Sequence, residues 1–265
     1  MSNPPLRLAV AGLGTVGAEL VRILDSHADL IAARAGRPVV VTDVSARNRD
    51  RDRGIDLSPY TWHDDAAAMA VKADVDLVVE LVGGADGPAY AIAMGAMASG
   101  KDVVTANKAM LAKHGVGLAK QAEETGKLLA YEAAVAGGIP IVKALREGLA
   151  GNNVSGIFGI LNGTCNFILT TMRETGRAFD DVLKEAQDLG YAEADPSFDV
   201  DGNDAAQKLA ILASIAFGIP VDEQAVYVSG ITSVSADDIA FAEELGYRIK
   251  PVSYTHLTLP TISVV

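Results

Sequence analysis

Cysteine, aromatic side chains and net positive charge are all scarce in this sequence. Cys165 is the only cysteine among 265 residues, which excludes a disulfide within the chain and is typical of a reducing compartment. The chain has 22 Lys and Arg against 34 Asp and Glu, a formal net charge of −12. Because nucleic-acid binding needs a concentrated basic surface, this charge argues against a nucleic-acid partner.

Long apolar runs are missing as well. No run reaches the roughly 18 uninterrupted apolar residues that a membrane span needs. Residues 1–7 lack the basic start and the apolar core of a signal peptide. We therefore expect a cytoplasmic protein with no membrane partner.

The residues that are abundant predict stacked α/β layers. Hydrophobic residues make up 49% of the chain and glycine occurs 26 times, while aromatic residues supply 5%. Apolar, strand-like runs alternate with helical patterns up to about residue 138. This alternation predicts a Rossmann-like, doubly wound nucleotide-binding lobe over residues 1–138. Its predicted strands are 6–11, 39–42, 75–81, 102–105 and 128–132, and its predicted helices are 18–30, 89–99 and 111–125.

Beyond residue 138 the pattern changes and predicts an α+β lobe for substrate binding and dimerisation over residues 139–250. Its predicted elements are a helix ending near 149, a strand over 157–161 and helices over 167–174, 179–189 and 205–217. Asn166 is a reasonable N-cap for the helix that follows the strand, and Gly163 suits a turn.

The last stretch, residues 251–265, contains no Asp, Glu, Lys or Arg, whereas residues 236–250 carry a normal share of charge. A buried pair of terminal strands would explain such a composition. The abrupt break at Pro251 favours the other explanation, a non-native tail joined to the chain.

A glycine-rich turn, Gly12-Leu13-Gly14-Thr15-Val16-Gly17, follows the first predicted strand and precedes a helix. In such a turn the first glycine permits a tight bend, the second admits a pyrophosphate and the third allows close packing. The amides at the start of the helix would face the phosphates. The turn therefore predicts dinucleotide binding rather than a purely structural bend.

An acid and an arginine near the end of the second predicted strand leave the choice of dinucleotide open. Asp43 could hold a ribose hydroxyl, as in NAD-binding proteins, and Arg47 could meet the 2′-phosphate of NADP. We expect the charged stretch from Arg49 to Arg53 to be a solvated loop.

Two further segments place polar groups after predicted strands. Thr105-Ala106-Asn107-Lys108 would lie at the carboxyl edge of the sheet, where open α/β sheets bind their ligands, so Lys108 is a candidate site residue. The turn from Glu132 to Pro140 offers one carboxylate and several backbone carbonyls, which could form a site for a hard cation or an ordinary turn.

The densest polar cluster has five carboxylates within residues 193–204, directly before an apolar helix. Asp204 and Lys208 are four residues apart, so they share one helix face and the acid can orient the ammonium. A surface ion pair is the usual explanation of that spacing. Hydride transfer to an aldehyde, however, builds negative charge on oxygen, which a lysine can stabilise and protonate. Pro196 interrupts the alternative, a calcium loop.

Five segments, in this order, resemble homoserine dehydrogenase: Ala-Gly-Leu-Gly-Thr-Val-Gly at 11–17, Val-Thr-Ala-Asn-Lys at 104–108, Glu-Ala-Ala-Val-Ala-Gly-Gly-Ile-Pro-Ile at 132–141, Leu-Asn-Gly-Thr-Cys-Asn-Phe-Ile-Leu at 161–169 and Leu-Gly-Tyr-Ala-Glu-Ala-Asp-Pro at 189–196. The resemblance covers residues 6–250. It implies NAD(P)-dependent interconversion of L-aspartate 4-semialdehyde and L-homoserine, in the biosynthesis of threonine, methionine and isoleucine.

The resemblance also implies roles for single residues. Lys208 would donate the proton during reduction and Lys108 would assist at the same oxygen, while Glu193 would bind the amino-acid substrate and Asp199 and Asp204 would orient it. The implied contacts to NADP or NAD are Gly12, Leu13, Gly14, Thr15, Val16, Gly17, Arg47, Thr105, Lys108 and Gly190. The implied site for a monovalent cation, usually Na⁺, consists of Glu132 and the carbonyls of Val135, Gly137 and Ile139.

Members of the resembled family normally continue beyond the segment that ends at Lys250. The resemblance therefore implies a C-terminally truncated catalytic part, which would form a homodimer through its second lobe if it were complete. The alternative is a nucleotide-binding fragment of the same family with impaired catalysis.

Overall fold

The computed structural model describes residues 3–256 and divides the chain into two compact units, residues 1–141 and residues 142–265. Each unit has its own sheet. Among the described residues, none of the helices combines the length and the apolar character that a membrane crossing requires.

The first unit contains a six-stranded parallel sheet, which confirms the predicted doubly wound architecture. Its strands are β1 (Leu6–Ala11), β2 (Val39–Ser45), β3 (Thr61–His63), β4 (Leu77–Glu80), β5 (Asp102–Thr105) and β6 (Leu129–Ala130). They lie in the order β3-β2-β1-β4-β5-β6. The order reverses between β1 and β4, and a sheet of this kind binds its ligands at that point, outside the carboxyl ends of the strands.

Helices connect these strands: α1 (Thr15–Ser26), α2 (Ala28–Ala35), α3 (Ala66–Lys72), α4 (Pro88–Ala98) and α5 (Lys108–Thr125). Local signals fix several of their ends. The Asp65 carboxylate accepts the amides of Ala67 and Ala68 and so caps α3. Asn107 caps α5 by accepting the Met110 amide, and Gly126 ends α5 in the left-handed conformation.

The second strand departs most from its prediction in this unit. We expected it to end near Thr42, but β2 continues to Ser45 because parallel partners on both sides, β1 and β3, pair with its polar end. Asp43 consequently lies inside the strand rather than at its end. The short elements β3 and α3 were not predicted, and the single predicted helix 18–30 is divided at His27 into α1 and α2.

The second unit combines helices with a two-stranded antiparallel sheet. Its elements are α6 (Ile141–Lys143), which continues into a π-helical turn (Ala144–Gly148), β7 (Gly156–Ile160), α7 (Gly163–Thr175), α8 (Phe179–Asp188), α9 (Ser197–Val200), α10 (Asn203–Phe217), α11 (Ala236–Glu244) and β8 (Val252–His256). A buried apolar cluster that includes Cys165, Ile168, Met172 and Val182 forms its core.

Helix α7 begins earlier than we expected. Its N-cap is Asn162, whose side-chain oxygen accepts the Cys165 amide at 2.8 Å, so the prediction of Asn166 as the cap was wrong. Asn166 lies inside the first turn of α7, where its side chain accepts a hydrogen bond from the Lys250 ammonium.

Part of the uncharged terminal stretch is paired within the second unit. Residues 252–256 form β8, which runs antiparallel to β7, and the tilted rings of Phe158 and Tyr254 are in contact across the two strands with centroids 4.6 Å apart. Residues 257–265 of the predicted tail lie outside the described residues. The origin of residues 251–265 stays a prediction.

Candidate functional site

The three glycines of the first turn meet different surroundings. A Cβ added to Gly12, at φ +98°, would lie 2.4 Å from the Leu81 carbonyl oxygen, and one added to Gly17 would lie 1.9 Å from the Gly12 carbonyl oxygen. A Cβ added to Gly14 would meet nothing within 4 Å. Gly12 and Gly17 are thus required by packing, whereas Gly14 leaves open space, as the turn of a dinucleotide site requires.

The start of α1 adds a positive end to this open space. Gly14 caps the helix without a side-chain hydrogen bond, and the first turn carries no acidic residue. Its Val16 is exposed, whereas Leu13 is buried below the turn. A helix start of this kind favours an anion, because its backbone amides and the helix dipole both present positive charge.

Arg53 supports the glycine turn from the loop after β2. Its Nε donates to the Leu13 carbonyl at 3.0 Å and its Nη1 donates to the Arg51 carbonyl at 2.7 Å. The guanidinium also lies 5.8 Å from the centre of the Trp62 ring. The prediction of a solvated loop was therefore wrong for Arg53. Arg47, two residues beyond β2, is exposed.

Asp43 is committed to contacts inside the sheet. One carboxylate oxygen lies 2.6 Å from Nε2 of His63 on β3, and the other accepts the Thr42 hydroxyl at 2.8 Å. Because both oxygens are engaged two residues before β2 ends, nothing in the structure supports the predicted contact of Asp43 to a ribose.

Glu80, a residue that the sequence did not single out, organises the carboxyl ends of β4 and β5. Its buried carboxylate accepts the Val82 amide at 2.7 Å and the Thr105 hydroxyl at 2.6 Å. The Thr105 oxygen in turn accepts the Asn107 amide at 3.0 Å, which places Lys108 at the first position of α5. The signal in the sequence was an acid at the end of an otherwise apolar strand.

The predicted cation turn brings one carboxylate and several backbone carbonyls close together in the sequence. The Glu132 carbonyl accepts the amides of Val135 and Ala136, and the Ile139 carbonyl accepts the Ile141 amide. The carbonyls of Val135 and Gly137 belong to the same turn. These two oxygens and the Glu132 carboxylate fit the chemistry of a monovalent hard cation.

The second unit places the predicted proton donor, Lys208, in an ion pair with a buried carboxylate. The Lys208 ammonium donates to the Asp204 carboxylate at 2.8 Å and to the Leu161 carbonyl at 2.9 Å. The side chains are 19% and 6% exposed, which excludes the ordinary surface ion pair. A cation held between a carboxylate and a carbonyl is oriented for proton transfer to a bound oxygen.

The other predicted substrate residues lie before α10. Asp199 on α9 is half-buried and connects to Asp204 through the side chain of Asn162. Glu193 is exposed in the turn after α8, near Gly190, which has φ +76°. The structure therefore joins Asp199, Asp204 and Lys208 in one network and leaves the Glu193 side chain at the surface.

The single cysteine is unsuited to nucleophilic chemistry. Its thiol is buried in the core of the second unit and donates to the Asp199 carbonyl at 3.2 Å. Burial, together with the nearby Asp199 and Asp204 carboxylates, raises the pKa of Cys165 to about 12. It stays a protonated thiol at neutral pH.

Comparisons with known proteins give one family for both units. A family model described as homoserine dehydrogenase matches residues 140–264, and one described as the NAD binding domain of homoserine dehydrogenase matches residues 12–132. The homoserine dehydrogenase of Pseudomonas aeruginosa is 48% identical over 254 residues, which are 96% of this chain and 58% of that protein. That of Bacillus subtilis is 42% identical over 245 residues, which are 92% and 56%.

Solved structures give the same result. A homoserine dehydrogenase from Thiobacillus denitrificans matches with a TM-score of 0.91 and 47% identity, over 97% of this chain and 59% of that one. A hyperthermophilic archaeal homoserine dehydrogenase in complex with NADPH matches with a TM-score of 0.76 and 25% identity, over 98% and 84%. The chain spans somewhat more than half the length of the curated relatives.

Proposed function

Since the chain belongs to the homoserine dehydrogenase family, we propose that it carries catalytic machinery for the NAD(P)-dependent interconversion of L-aspartate 4-semialdehyde and L-homoserine. The observation that carries this proposal is the ion pair of Lys208 with the buried Asp204, which is anchored to the Leu161 carbonyl. A lysine held in this way can deliver a proton to the aldehyde oxygen. The reaction would serve threonine, methionine and isoleucine biosynthesis in the cytoplasm.

A nicotinamide dinucleotide, when bound, supplies the hydride that the aldehyde carbon receives. Lys208 gives a proton to the aldehyde oxygen in the direction of homoserine and takes it back from the hydroxyl in the reverse direction. Lys108 assists at that oxygen. Glu193 and Asp199 bind the ammonium of the amino acid, and Asp204 keeps the Lys208 ammonium in place.

Two measurements test this proposal. Absorbance follows the homoserine-dependent reduction of NADP⁺ and of NAD⁺, and calorimetric titration measures the binding of NADPH. Binding together with homoserine-dependent turnover would support it. Binding without turnover would favour the alternative, a nucleotide-binding fragment of the family. Neither binding nor turnover by a folded chain would reject both. The resemblance implies a homodimer for a complete chain, and sedimentation of the same sample would show whether this chain forms one.

The carboxyl end of β2 favours NADPH over NADH. Asp43 is engaged by His63 and Thr42, and exposed Arg47 is free to meet a 2′-phosphate. We further propose that Leu13, Gly14, Thr15, Val16, Thr105 and Gly190 also contact the dinucleotide.

Arg47→Ala should weaken NADPH binding by about tenfold, the loss of one charge-assisted contact, and change NADH binding little. Arg51→Ala is the matched control, because Arg51 is an exposed arginine of the same loop. Calorimetric Kd values for both dinucleotides give the selectivity directly. Equal losses for NADPH and NADH would remove Arg47 from the 2′-phosphate site.

The turn after β6 provides the proposed Na⁺ site, with ligands from the Glu132 carboxylate and the carbonyls of Val135, Gly137 and Ile139. Na⁺ should raise the melting temperature of the chain relative to choline at equal ionic strength, since a ligand of the folded state stabilises it. Glu132→Gln should abolish that difference, whereas Glu124→Gln, an exposed acid near the end of α5, should keep it. A difference that survives in Glu132→Gln would exclude Glu132 as a ligand.

A further inference from the structure

Asn162 has every hydrogen-bonding atom of its side chain engaged. The residue is 5% exposed. Its Oδ1 accepts the Cys165 amide at 2.8 Å and caps α7. Its Nδ2 donates to Asp199 Oδ1 at 2.7 Å and to Asp204 Oδ2 at 2.9 Å. The two N–H bonds of one amide thus bridge two carboxylates.

The bridge resolves an electrostatic conflict in the second unit. Asp199 on α9 and Asp204 in the first turn of α10 are like charges that the fold brings to one side chain. Like charges repel strongly where water is excluded, and a neutral group with two donors offsets that repulsion without adding charge. The Asp204 oxygen that accepts from Asn162 also accepts the Lys208 ammonium.

We propose that Asn162 is a positioning residue, which holds Asp199 and Asp204 in place and, through Asp204, sets the Lys208 ammonium for proton transfer. The role of Lys208 rests on the proposed function. The bridge itself rests on the contacts of the side chain alone. Asn162 acts through its neighbours rather than on the substrate.

Asn162→Asp separates the two tasks of this side chain. Aspartate has the same shape and is an equally good N-cap, so the bond from the Cys165 amide is retained. The variant loses both donors and places a third carboxylate beside Asp199 and Asp204. Asn162→Ser is a second, uncharged variant, which keeps a capping oxygen but offers one donor in place of two.

With the wild-type chain active, Asn162→Asp should lower kcat/KM for homoserine by about 100-fold, because misplaced catalytic groups cost about this much. The Kd for NADPH should stay within twofold. The kcat/KM of Asn162→Ser should lie between those of the wild type and Asn162→Asp. Asn166→Ala is the matched control, since Asn166 lies on the same helix turn but contacts Lys250. Its kcat/KM should stay within twofold of the wild-type value.

The accessibility of the Cys165 thiol shows whether a substitution at Asn162 has loosened the packing around the site. It is the only cysteine and is buried beneath Asn162, so its reaction with a thiol reagent is unambiguous. In Asn162→Asp the thiol should remain as protected as in the wild type while turnover falls. Exposure of the thiol in step with the loss of turnover, or unchanged turnover, would overturn the positioning role.

A second measurement does not need turnover. Acetic anhydride labels lysine amines, and mass spectrometry compares Lys208 with Lys184, an exposed lysine on α8. In Asn162→Ser the loss of one donor should loosen Asp204 and with it the Lys208 ammonium, so that labelling of Lys208 relative to Lys184 should rise by about threefold or more. If the wild type binds NADPH but turns over no homoserine, the proposed function fails. The labelling still tests the Asn162 bridge in that case, because unchanged labelling of Lys208 would overturn the positioning role.

Discussion

Lys208→Ala should lower homoserine turnover by about 1,000-fold, because a positioned general acid or base contributes roughly two to four powers of ten. The substitution removes the ammonium that Asp204 and the Leu161 carbonyl hold, so no group remains there to exchange a proton with the substrate oxygen. It also leaves the Asp204 carboxylate in a buried place without its cation. Because the group that exchanges the proton is lost, the decrease in turnover should appear mainly in kcat.

The affinity for NADPH should be nearly unchanged in Lys208→Ala, since Lys208 is not among the residues proposed to contact the dinucleotide. Lys184→Ala is the control for loss of a lysine in the second unit and should retain full turnover. Steady-state kinetics and calorimetry on the same preparations separate the two effects. A parallel loss of turnover and NADPH affinity would count against Lys208 as the proton donor.

The second large effect is expected from Gly17→Ala, which should lower the stability of the fold. An alanine Cβ at this position would lie 1.9 Å from the Gly12 carbonyl oxygen, a backbone atom that cannot move without distorting the turn. Overpacking of this severity should destabilise the chain by about 3 kcal/mol or more. Thermal unfolding should show the change as a large fall in the melting temperature.

Gly14→Ala is the matched substitution, with the opposite expected result. Its Cβ meets nothing within 4 Å, so the free energy of unfolding should fall only by the roughly 1 kcal/mol that separates glycine from alanine as an N-cap. The melting temperature should therefore change little. NADPH affinity should nevertheless fall by about tenfold or more, because the methyl group would occupy the space of the pyrophosphate. A stable Gly14→Ala chain with normal NADPH affinity would place the dinucleotide elsewhere.

Several features of the site follow from short stretches of sequence. Position 17 in the turn needs glycine because of the Gly12 carbonyl five residues before it, and β5 has the predicted bounds. The pairing of Asp204 with Lys208 follows from the helical repeat alone. Each of these depends on residues only a few positions apart.

Other features were missed or placed incorrectly for one physical reason. A buried polar group must find a hydrogen-bond partner, and which partner it finds depends on the packing of distant segments. Glu80 and Thr105 are 25 residues apart, Arg53 and Leu13 are 40 apart, and Asn162 and Asp204 are 42 apart.

The sequence by itself determined the doubly wound first unit, the glycine turn and the family, because periodicity, backbone conformation and consecutive motifs are local properties. Only the tertiary structure decided that Asp43 faces His63, that Arg53 supports the turn, and that Asn162 joins two acids. Pairing between β2 and β3 buried the first of these groups, and the packing of α7, α9 and α10 brought the acids together. Such contacts are set by the approach of whole elements, which no short segment specifies.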